Sequence, residues 1–177
     1  MNRAVFFDRD GTLMEEVHYC NDPAKVRAEP LAVASLQRLH KAGWLNIVIT
    51  NQSGLASGKI LPSQYEAVEA ELGRQLEGLL DATYFCPDPS HSPTPRRKPG
   101  TGMIEEAARD YQIDLSQSWM VGDKNIDIEC GRAAGCSTIL VLTGYGKDFR
   151  DCGADFVVRD TSEAVELILT KSLGAHT

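Results

Sequence analysis

Short apolar segments alternate along the chain with segments of helical periodicity. In the helical segments, apolar residues recur on one face. This alternation predicts an α/β protein in which helices cover both faces of a mostly parallel sheet, giving three layers. The apolar segments have the length of buried strands and are AVFF (4–7), LNIVIT (45–50), ATYF (82–85), SWMVG (118–122), STILVLT (137–143) and DFVV (155–158).

The connections restrict this sheet to a doubly wound, Rossmann-like arrangement. Right-handed crossovers place the first strand near the centre, the second strand on one side of it and the fourth on the other. Ligands of such sheets bind at the carboxyl ends of these strands. With 177 residues, the chain fits one domain over 1–177 with one core.

Composition and charge argue against several classes of protein. The net charge of −7 disfavours nucleic-acid and anionic-membrane surfaces. No apolar run has the length of a membrane span, and the N-terminal MNRAVFF lacks the regions of a signal peptide. The five cysteines are odd in number and scattered, as expected of reduced thiols. We therefore expect a cytoplasmic protein without a nucleic-acid or membrane partner.

Polar side chains follow the three strands whose ends are expected to meet. Asp8 and Asp10 follow the first strand, Thr50 ends the second, and Asp123 follows the fourth, while Lys98 lies in the loop before the third helix. Singly, an aspartate after a strand is often only a turn former or a helix N-cap. Because all five residues are predicted at one edge of the sheet, a shared site is the better interpretation.

The residue types at this edge suit phosphoryl transfer. Clustered carboxylates repel, so one stays protonated or a cation lies among them, and oxygen ligands beside a phosphate favour Mg²⁺. A carboxylate can also act as a nucleophile and form an aspartyl-phosphate. Thr50 and Lys98 are donors that can neutralise the oxygens of a phosphoryl group.

The motif DRDGTL, followed in order by the threonine, the lysine and GD, resembles the haloacid dehalogenase superfamily of phosphohydrolases. The resemblance implies that Asp8 is the nucleophile and that Asp10 protonates the leaving group and then activates water. It implies that Thr50 and Lys98 hold the phosphoryl group. Asp123 would bind Mg²⁺ together with Asp8 and the backbone carbonyl of Asp10. Asp127 would support either the metal ligands or Lys98.

The segments after the first two strands are too short for a cap domain, so an open site bordered by loops is expected. TNQSGLASGK, CPDPSH, RRKPGTGM and MVGDKNIDI resemble the heptose-bisphosphate 7-phosphatase family and its close relative, histidinol phosphatase. In this resemblance the guanidinium of Arg97 suits a second phosphate. The substrate contacts implied by position are Glu16, Val17, His18, Tyr19, Asn51, Gln52, Ser53, Arg97 and Lys124.

One departure from that family concerns its zinc loop, Cys-x-His followed by Cys-x-Cys before Arg-Lys-Pro. This chain keeps Cys86 but has Asp88 in place of the histidine, and no cysteine lies between Cys86 and Cys130. His91 is an alternative ligand, yet two ligands cannot complete a tetrahedral site. We expect no bound zinc, and the altered loop leaves the substrate and its anomer open.

The leading hypothesis is a monomeric, Mg²⁺-dependent phosphomonoester hydrolase that works through an aspartyl-phosphate. Its expected substrate is a sugar phosphate, with removal of the 7-phosphate of D-glycero-D-manno-heptose 1,7-bisphosphate in nucleotide-heptose biosynthesis. The alternatives are a phosphatase of histidinol phosphate or another small molecule, a nucleic-acid 3′-phosphatase, and a non-catalytic phosphate-binding module. The acidic charge and the lack of a basic stripe disfavour the nucleic-acid enzyme.

Overall fold

The computed structural model describes residues 1–174 of the chain. Its strands are β1 (Arg3–Phe7), β2 (Trp44–Asn51), β3 (Ala82–Cys86), β4 (Trp119–Gly122), β5 (Ser137–Val141) and β6 (Phe156–Val158). Its helices are α1 (Ala32–Lys41), α2 (Pro62–Gln75), α3 (Gly102–Tyr111), α4 (Asn125–Ala133) and α5 (Thr161–Gly174). Three short 3₁₀ turns cover Pro23–Lys25, Leu115–Gln117 and Gly146–Phe149.

All strand pairs in the sheet are parallel, and the strand order is β3-β2-β1-β4-β5-β6. The predicted central position of β1 between the second and fourth strands is therefore confirmed. At the carboxyl end of β1, Phe7 pairs with Val48 of β2 and Val121 of β4. The residues that follow these three strands consequently emerge side by side at one edge.

The central strand is buried on both faces, which explains its uninterrupted apolar sequence. Val5 and Phe7 point into a core shared with α1, α2 and α5. Ala4 and Phe6 point the opposite way, into a core shared with α3 and α4. Complete burial of a phenylalanine stabilises a fold by about 1.5–3 kcal/mol. This confirms the predicted three-layer arrangement, with the sheet between two layers of helices.

Two element ends differ from those predicted by the apolar pattern. The pattern predicts helix through Leu80, but α2 ends at Gln75 because Glu77 and Gly78 adopt left-handed backbone, with φ of 54° and 69°. The pattern also extends the fifth strand to Thr143, whereas β5 ends at Val141. The chain there turns toward β1, where the Thr143 hydroxyl donates to the Gly11 carbonyl at 2.6 Å.

The connections after β1 and β2 contain little regular structure besides their helices. Between β1 and α1, the segment 8–31 includes one 3₁₀ turn, and between β2 and β3 the regular element is α2. In residues 1–174 neither connection forms a cap domain, as predicted. No helix in that range is long and apolar enough to cross a bilayer.

Candidate active site

Three carboxylates meet at the carboxyl ends of β1 and β4. Asp8 directly follows β1, Asp123 follows β4, and Asp127 lies in the first turn of α4. One carboxylate oxygen from each lies within 4.8 Å of the other two, and all three residues are buried. The parallel pairing of β1 with β4 thus brings together acids more than a hundred residues apart in sequence.

Lys98 supplies the compensating charge inside this cluster. Its ammonium lies 2.8 Å from Asp8 Oδ1 and 2.6 Å from Asp127 Oδ1, and it donates to the Ile49 carbonyl at 2.8 Å. The Asn51 side chain holds the Lys98 backbone, accepting from its N–H at 3.0 Å and donating to its carbonyl at 3.1 Å. The lysine is therefore fixed in place by β2 as well as by the two acids.

The proton affinities of the cluster follow from burial and charge. Burial opposes ionisation of Asp8, but Lys98 and Lys124 outweigh it and hold the pKa of Asp8 below its usual value. Burial, with the negative charges of Asp8 and Asp127, raises the pKa of Asp123 to about 8. Burial likewise raises the pKa of Asp127 to about 6, although Lys98 opposes this shift. The carboxylate of Asp8 is thus ionised at neutral pH.

Asp123 carries the strongest indication of a metal ion. Its Oδ2 accepts from the Tyr145 backbone N–H at 2.8 Å, while its Oδ1 is buried and has no hydrogen-bond partner in the part of the chain that the structure describes. A buried carboxylate oxygen without a partner is costly unless a cation meets it. The all-oxygen donor set fits Mg²⁺, which prefers carboxylates, water and phosphate.

Two glycines leave room for the Asp123 carboxylate. Gly11 and Gly144 have φ of 85° and 51°, and a Cβ on either would collide with this carboxylate. Gly11 therefore has two requirements that alanine cannot meet: a left-handed backbone and close approach to a neighbouring side chain. The glycine of the DRDGTL motif is accordingly part of the construction of the site.

Asp10 does not join the buried cluster but lines a neighbouring cleft. Its Oδ1 and Oδ2 each accept from the Arg9 guanidinium at 3.1 Å, and Oδ2 also accepts from the Gln52 amide at 2.9 Å. The same amide donates to Thr50 Oγ1 at 2.9 Å. Gln52 is thus placed between two predicted catalytic residues, where it orients both side chains.

Arg9 is a site residue that the sequence interpretation missed. It is 1% exposed, and its guanidinium pairs with Asp10 and, at 2.6 Å, with Glu69 of α2. Burial opposes its charge, yet these two acids raise the pKa of Arg9 above its usual value. The signal was available in sequence: a charge beside a buried strand needs a partner. The sequence did not show that this partner would lie sixty residues away.

A cleft of about 270 Å³ is lined by residues that follow the ends of β1, β2 and β4, among them Asp10, Gln52 and Lys124. All nine residues that the resemblance implied as substrate contacts line it, from Glu16 to Lys124. Ile126, which the sequence interpretation missed, lines it too. The remaining lining residues are Arg9, Asp10, Cys20 and Gly54.

The cleft border carries partly exposed charges and aromatic rings. Lys124 Nζ lies 3.4 Å from Glu16 Oε2 and 4.8 Å from the centre of the Tyr145 ring. His18 is exposed and packs edge-on against Tyr19 with ring centres 4.2 Å apart. These side chains belong to three different segments, so the border is assembled by the fold and is not a local motif.

Hydrogen bonds organise the loop that corresponds to the family's zinc loop. Asp88 Oδ2 accepts from Thr94 Oγ1 at 2.6 Å and from Cys86 Sγ at 3.3 Å. Thr94 Oγ1 in turn accepts from the Arg97 backbone N–H at 3.2 Å, and an Arg97 side-chain N–H donates to the Asp88 carbonyl at 3.1 Å. His91 is exposed and lies apart from these contacts. The aspartate in the histidine's position therefore holds Arg97 at the cleft.

Comparisons with known proteins agree with this geometry. A family model described as "HAD-hyrolase-like" matches residues 95–164. The D-glycero-D-manno-heptose-1,7-bisphosphate 7-phosphatase of Thermosynechococcus vestitus is 38% identical over 94% of this chain and 95% of that protein. The D-glycero-alpha-D-manno-heptose-1,7-bisphosphate 7-phosphatase of Photorhabdus laumondii is 34% identical over 81% and 84%.

A solved structure is similar over nearly the whole chain. It is the D,D-heptose 1.7-bisphosphate phosphatase from B. bronchiseptica complexed with magnesium and phosphate, with a TM-score of 0.88 and 30% identity over 96% of this chain and 99% of that one. The resemblance indicated by the sequence motifs is confirmed at the level of sequence and of fold. The chain belongs to the D-glycero-D-manno-heptose-1,7-bisphosphate 7-phosphatase family of the haloacid dehalogenase superfamily.

Proposed function

We propose that this protein is a Mg²⁺-dependent phosphatase that removes the 7-phosphate of D-glycero-D-manno-heptose 1,7-bisphosphate. The observation that carries the proposal is the ionised Asp8, which pairs with Lys98 and lies beside Asp123, whose Oδ1 has no hydrogen-bond partner within residues 1–174. Asp10 lines the neighbouring cleft. The relatives' names supply the substrate, and the product would enter nucleotide-heptose biosynthesis.

The proposed reaction has two halves. In the first, an oxygen of Asp8 bonds to phosphorus, the ester P–O bond breaks, and the leaving oxygen takes a proton from Asp10. In the second, Asp10 takes a proton from water as the water oxygen bonds to phosphorus, and the bond to Asp8 breaks to release phosphate. Thr50 and Lys98 donate to the phosphoryl oxygens, whose charge needs neutralisation in the transition state.

The residues present fit a magnesium ion, and in the proposal Asp8, Asp123 and the Asp10 carbonyl hold it. Bound Mg²⁺ would neutralise charge on the transferring phosphoryl group. Asp127, which the sequence assigned to the metal ligands or to Lys98, pairs with Lys98 and is proposed to position it.

Substrate selection is assigned to the cleft border. The planar guanidinium of Arg97 can bind a second phosphate through two parallel hydrogen bonds, and Lys124 adds a positive charge to the same cleft. Glu16 to Tyr19 and Asn51 to Ser53 line the remaining walls. Asn51 and Gln52 also have structural partners, so their contribution to substrate binding is shared with positioning Lys98, Thr50 and Asp10.

We further propose a single domain over 1–177 that acts as a monomer in the cytoplasm on this small molecule, without nucleic acid or membrane. All five cysteines are free thiols, which is usual in reducing compartments. The hydrogen bonds around Asp88 support a loop that needs no zinc.

A phosphate-release screen with Mg²⁺ tests the proposal. Its substrates are both anomers of heptose 1,7-bisphosphate, histidinol phosphate, hexose bisphosphates and a 3′-phosphorylated oligonucleotide. We expect the highest kcat/KM for one heptose bisphosphate anomer. A higher value for histidinol phosphate or the oligonucleotide would overturn the assigned substrate, and stoichiometric zinc in the purified protein would overturn the zinc-free loop.

A further inference from the structure

We infer that Arg9 and Glu69 are positioning residues that set the orientation of the Asp10 carboxylate for both proton transfers. The inference rests on the proposed function, because it assigns Asp10 the role of proton donor and acceptor. It concerns residues outside the threonine, lysine and aspartate positions that define the motif. It also connects the site with helix α2, which supplies Glu69.

The guanidinium of Arg9 holds Asp10 in one orientation. Nη2 donates to Asp10 Oδ1 and Nε donates to Asp10 Oδ2, both at 3.1 Å. Two parallel bonds of this kind fix the plane of the carboxylate as well as its distance. Gln52 adds a third contact, from its amide to Asp10 Oδ2 at 2.9 Å. A carboxylate with these three contacts has little freedom to rotate.

Helix α2 holds the guanidinium in turn. Arg9 Nη1 donates to Glu69 Oε1 at 2.6 Å, on the side of the guanidinium that Asp10 leaves free. The Arg9 guanidinium carbon lies 5.7 Å from the centre of the Tyr65 ring, which packs against Phe85 at 4.6 Å. Because Arg9 is buried, these contacts replace water as its surroundings. Glu69 therefore acts on the orientation of Asp10 through Arg9.

The orientation of Asp10 matters because the same carboxyl group donates a proton to the ester oxygen and later accepts one from water. Asp10 must direct its proton to the ester oxygen as that P–O bond breaks, and must later accept a proton from the attacking water. General acid–base catalysis of this type contributes about 10²–10⁴-fold, and it depends on hydrogen-bond geometry. A freely rotating Asp10 would lose part of this factor while Asp8, Lys98 and the metal ligands remain unchanged.

Leaving-group dependence distinguishes this role from general stabilisation of the fold. The kcat/KM value reports the first half of the reaction, in which an alkyl ester oxygen needs a proton and p-nitrophenolate does not. We expect Glu69→Gln to lower kcat/KM for a hexose 6-phosphate by about tenfold or more. For p-nitrophenyl phosphate we expect a decrease of less than about threefold. The kcat values for both substrates should fall, because the second half of the reaction also uses Asp10.

Glu71→Gln is the matched control. Glu71 lies on the same helix, is partly exposed and accepts from Arg74 and Gln75, so its substitution removes an equal charge that makes no contact with Arg9. It should leave the ratio of the two kcat/KM values at the wild-type level. Arg9→Lys, which keeps the charge but loses the two parallel bonds, should change the ratio in the same direction as Glu69→Gln. Thermal unfolding of each variant confirms that the folded protein is assayed.

An unchanged ratio in both Glu69→Gln and Arg9→Lys, with either equal losses or none, would overturn the inference. If Arg9→Lys fails to fold, Glu69→Gln alone decides. Turnover of simple phosphate esters without turnover of heptose bisphosphate would overturn the proposed substrate and leave this inference to be judged by the ratio. Failure of the wild-type protein to hydrolyse any phosphate ester would overturn both.

Discussion

The floor and the rim of the active site use the same kinds of charged residue in opposite environments. We define the floor as Asp8, Thr50, Lys98, Asp123 and Asp127, and the rim as Glu16, His18, Tyr19, Arg97 and Lys124. On the floor, the Lys98 ammonium lies within 2.8 Å of both acids it pairs with, and its side chain is 2% exposed. On the rim, the ion pair of Lys124 and Glu16 spans 3.4 Å, and these side chains are 29% and 21% exposed.

The difference follows from the cost of burying charge. A buried charge is tolerated only with fixed partners, and removing one partner costs about 3–5 kcal/mol. A pair near solvent contributes about 0–1 kcal/mol and can rearrange around a ligand at little cost. The floor is accordingly suited to a reaction that needs one geometry, and the rim to recognition of a particular substrate.

The largest expected effect comes from removing the proposed nucleophile of the floor. Asp8→Asn keeps the size of the side chain but cannot form the aspartyl-phosphate in the proposed mechanism. We expect phosphate release to fall at least about a thousandfold on every substrate, equivalent to about 4 kcal/mol of barrier. Turnover is measured with Mg²⁺ at saturating substrate, and circular dichroism checks the fold. Near-normal turnover would show that another group is the nucleophile.

A pH-dependent response to Mg²⁺ is the second way to test the floor. The pKa of Asp123 is raised to about 8 in the folded protein, so its proton stabilises the metal-free fold below pH 4 and this contribution is lost as pH rises through 8. The raised pKa of Asp127 also makes the metal-free fold less stable as pH rises. The lowered pKa of Asp8 changes the stability only below pH 4. Metal-free protein should therefore lose stability between pH 5 and pH 8, by about 1 kcal/mol or more.

Mg²⁺ competes with the Asp123 proton, so its stabilising effect should be greater at pH 8 than at pH 5. At a hundredfold excess over Kd the gain is about 2.7 kcal/mol. The measurement is the thermal midpoint with and without Mg²⁺ at each pH. Asp123→Asn serves as the control, whose gain from Mg²⁺ should be smaller and should not increase from pH 5 to pH 8. An equal gain at both pH values would contradict the assignment of Asp123 as a ligand.

Arg97→Ala tests the rim. It should lower activity on the bisphosphate substrate, whereas Asp8→Asn should lower activity on every substrate. We expect kcat/KM for the bisphosphate to fall by about 10–100-fold, as expected for loss of a charge-assisted contact worth about 1.5–3 kcal/mol. The matched substrate is heptose 7-phosphate, which lacks the second phosphate and should change by less than about threefold. Equal losses on both substrates would mean that Arg97 acts on the transferred phosphate or on the loop.

The smallest effect is expected from the loop behind the rim. Thr94→Val removes the hydroxyl that joins Asp88 to the Arg97 backbone, at a cost of about 1 kcal/mol. It should raise KM for the bisphosphate by about three- to fivefold with little change in kcat. Thr170→Val on α5 is the control, because its hydroxyl bonds within the helix and is distant in sequence from the site. A large fall in kcat would mean that the loop affects the floor residues and not only substrate binding at the rim.

The sequence predicted the floor more completely than the rim. Asp8, Thr50 and Asp123 each lie at the end of a strand, so the rule that parallel strand ends converge was enough to bring them together. The rim residues were placed only through resemblance to a family, because nothing local in His18 or Arg97 indicates that they meet. Their juxtaposition depends on how the segment 15–20 and the loop 87–97 cross the sheet edge.

Three features depend on contacts between residues that are not neighbours in sequence. Leu142 and Thr143 continue an apolar strand pattern, yet β5 ends at Val141 and the Thr143 hydroxyl bonds to the Gly11 carbonyl. The charge of Arg9 predicts a partner but not that Glu69 supplies it. The replacement of a zinc ligand by Asp88 is visible in sequence, whereas the hydrogen bonds that Asp88 makes to Thr94 and Cys86 are not.

The fold class, the relative positions of the first, second and fourth strands and the reaction type could be predicted from sequence, because these depend on apolar periodicity and on residues adjacent to strand ends. The packed structure was needed to establish which charges are paired, which loops border the cleft, and which oxygen of Asp123 lacks a hydrogen-bond partner within residues 1–174. The two kinds of feature depend on interactions of different range. Periodicity and strand-end chemistry act over a few residues, whereas an ion pair or a hydrogen bond across the site depends on distances that only the packed chain establishes.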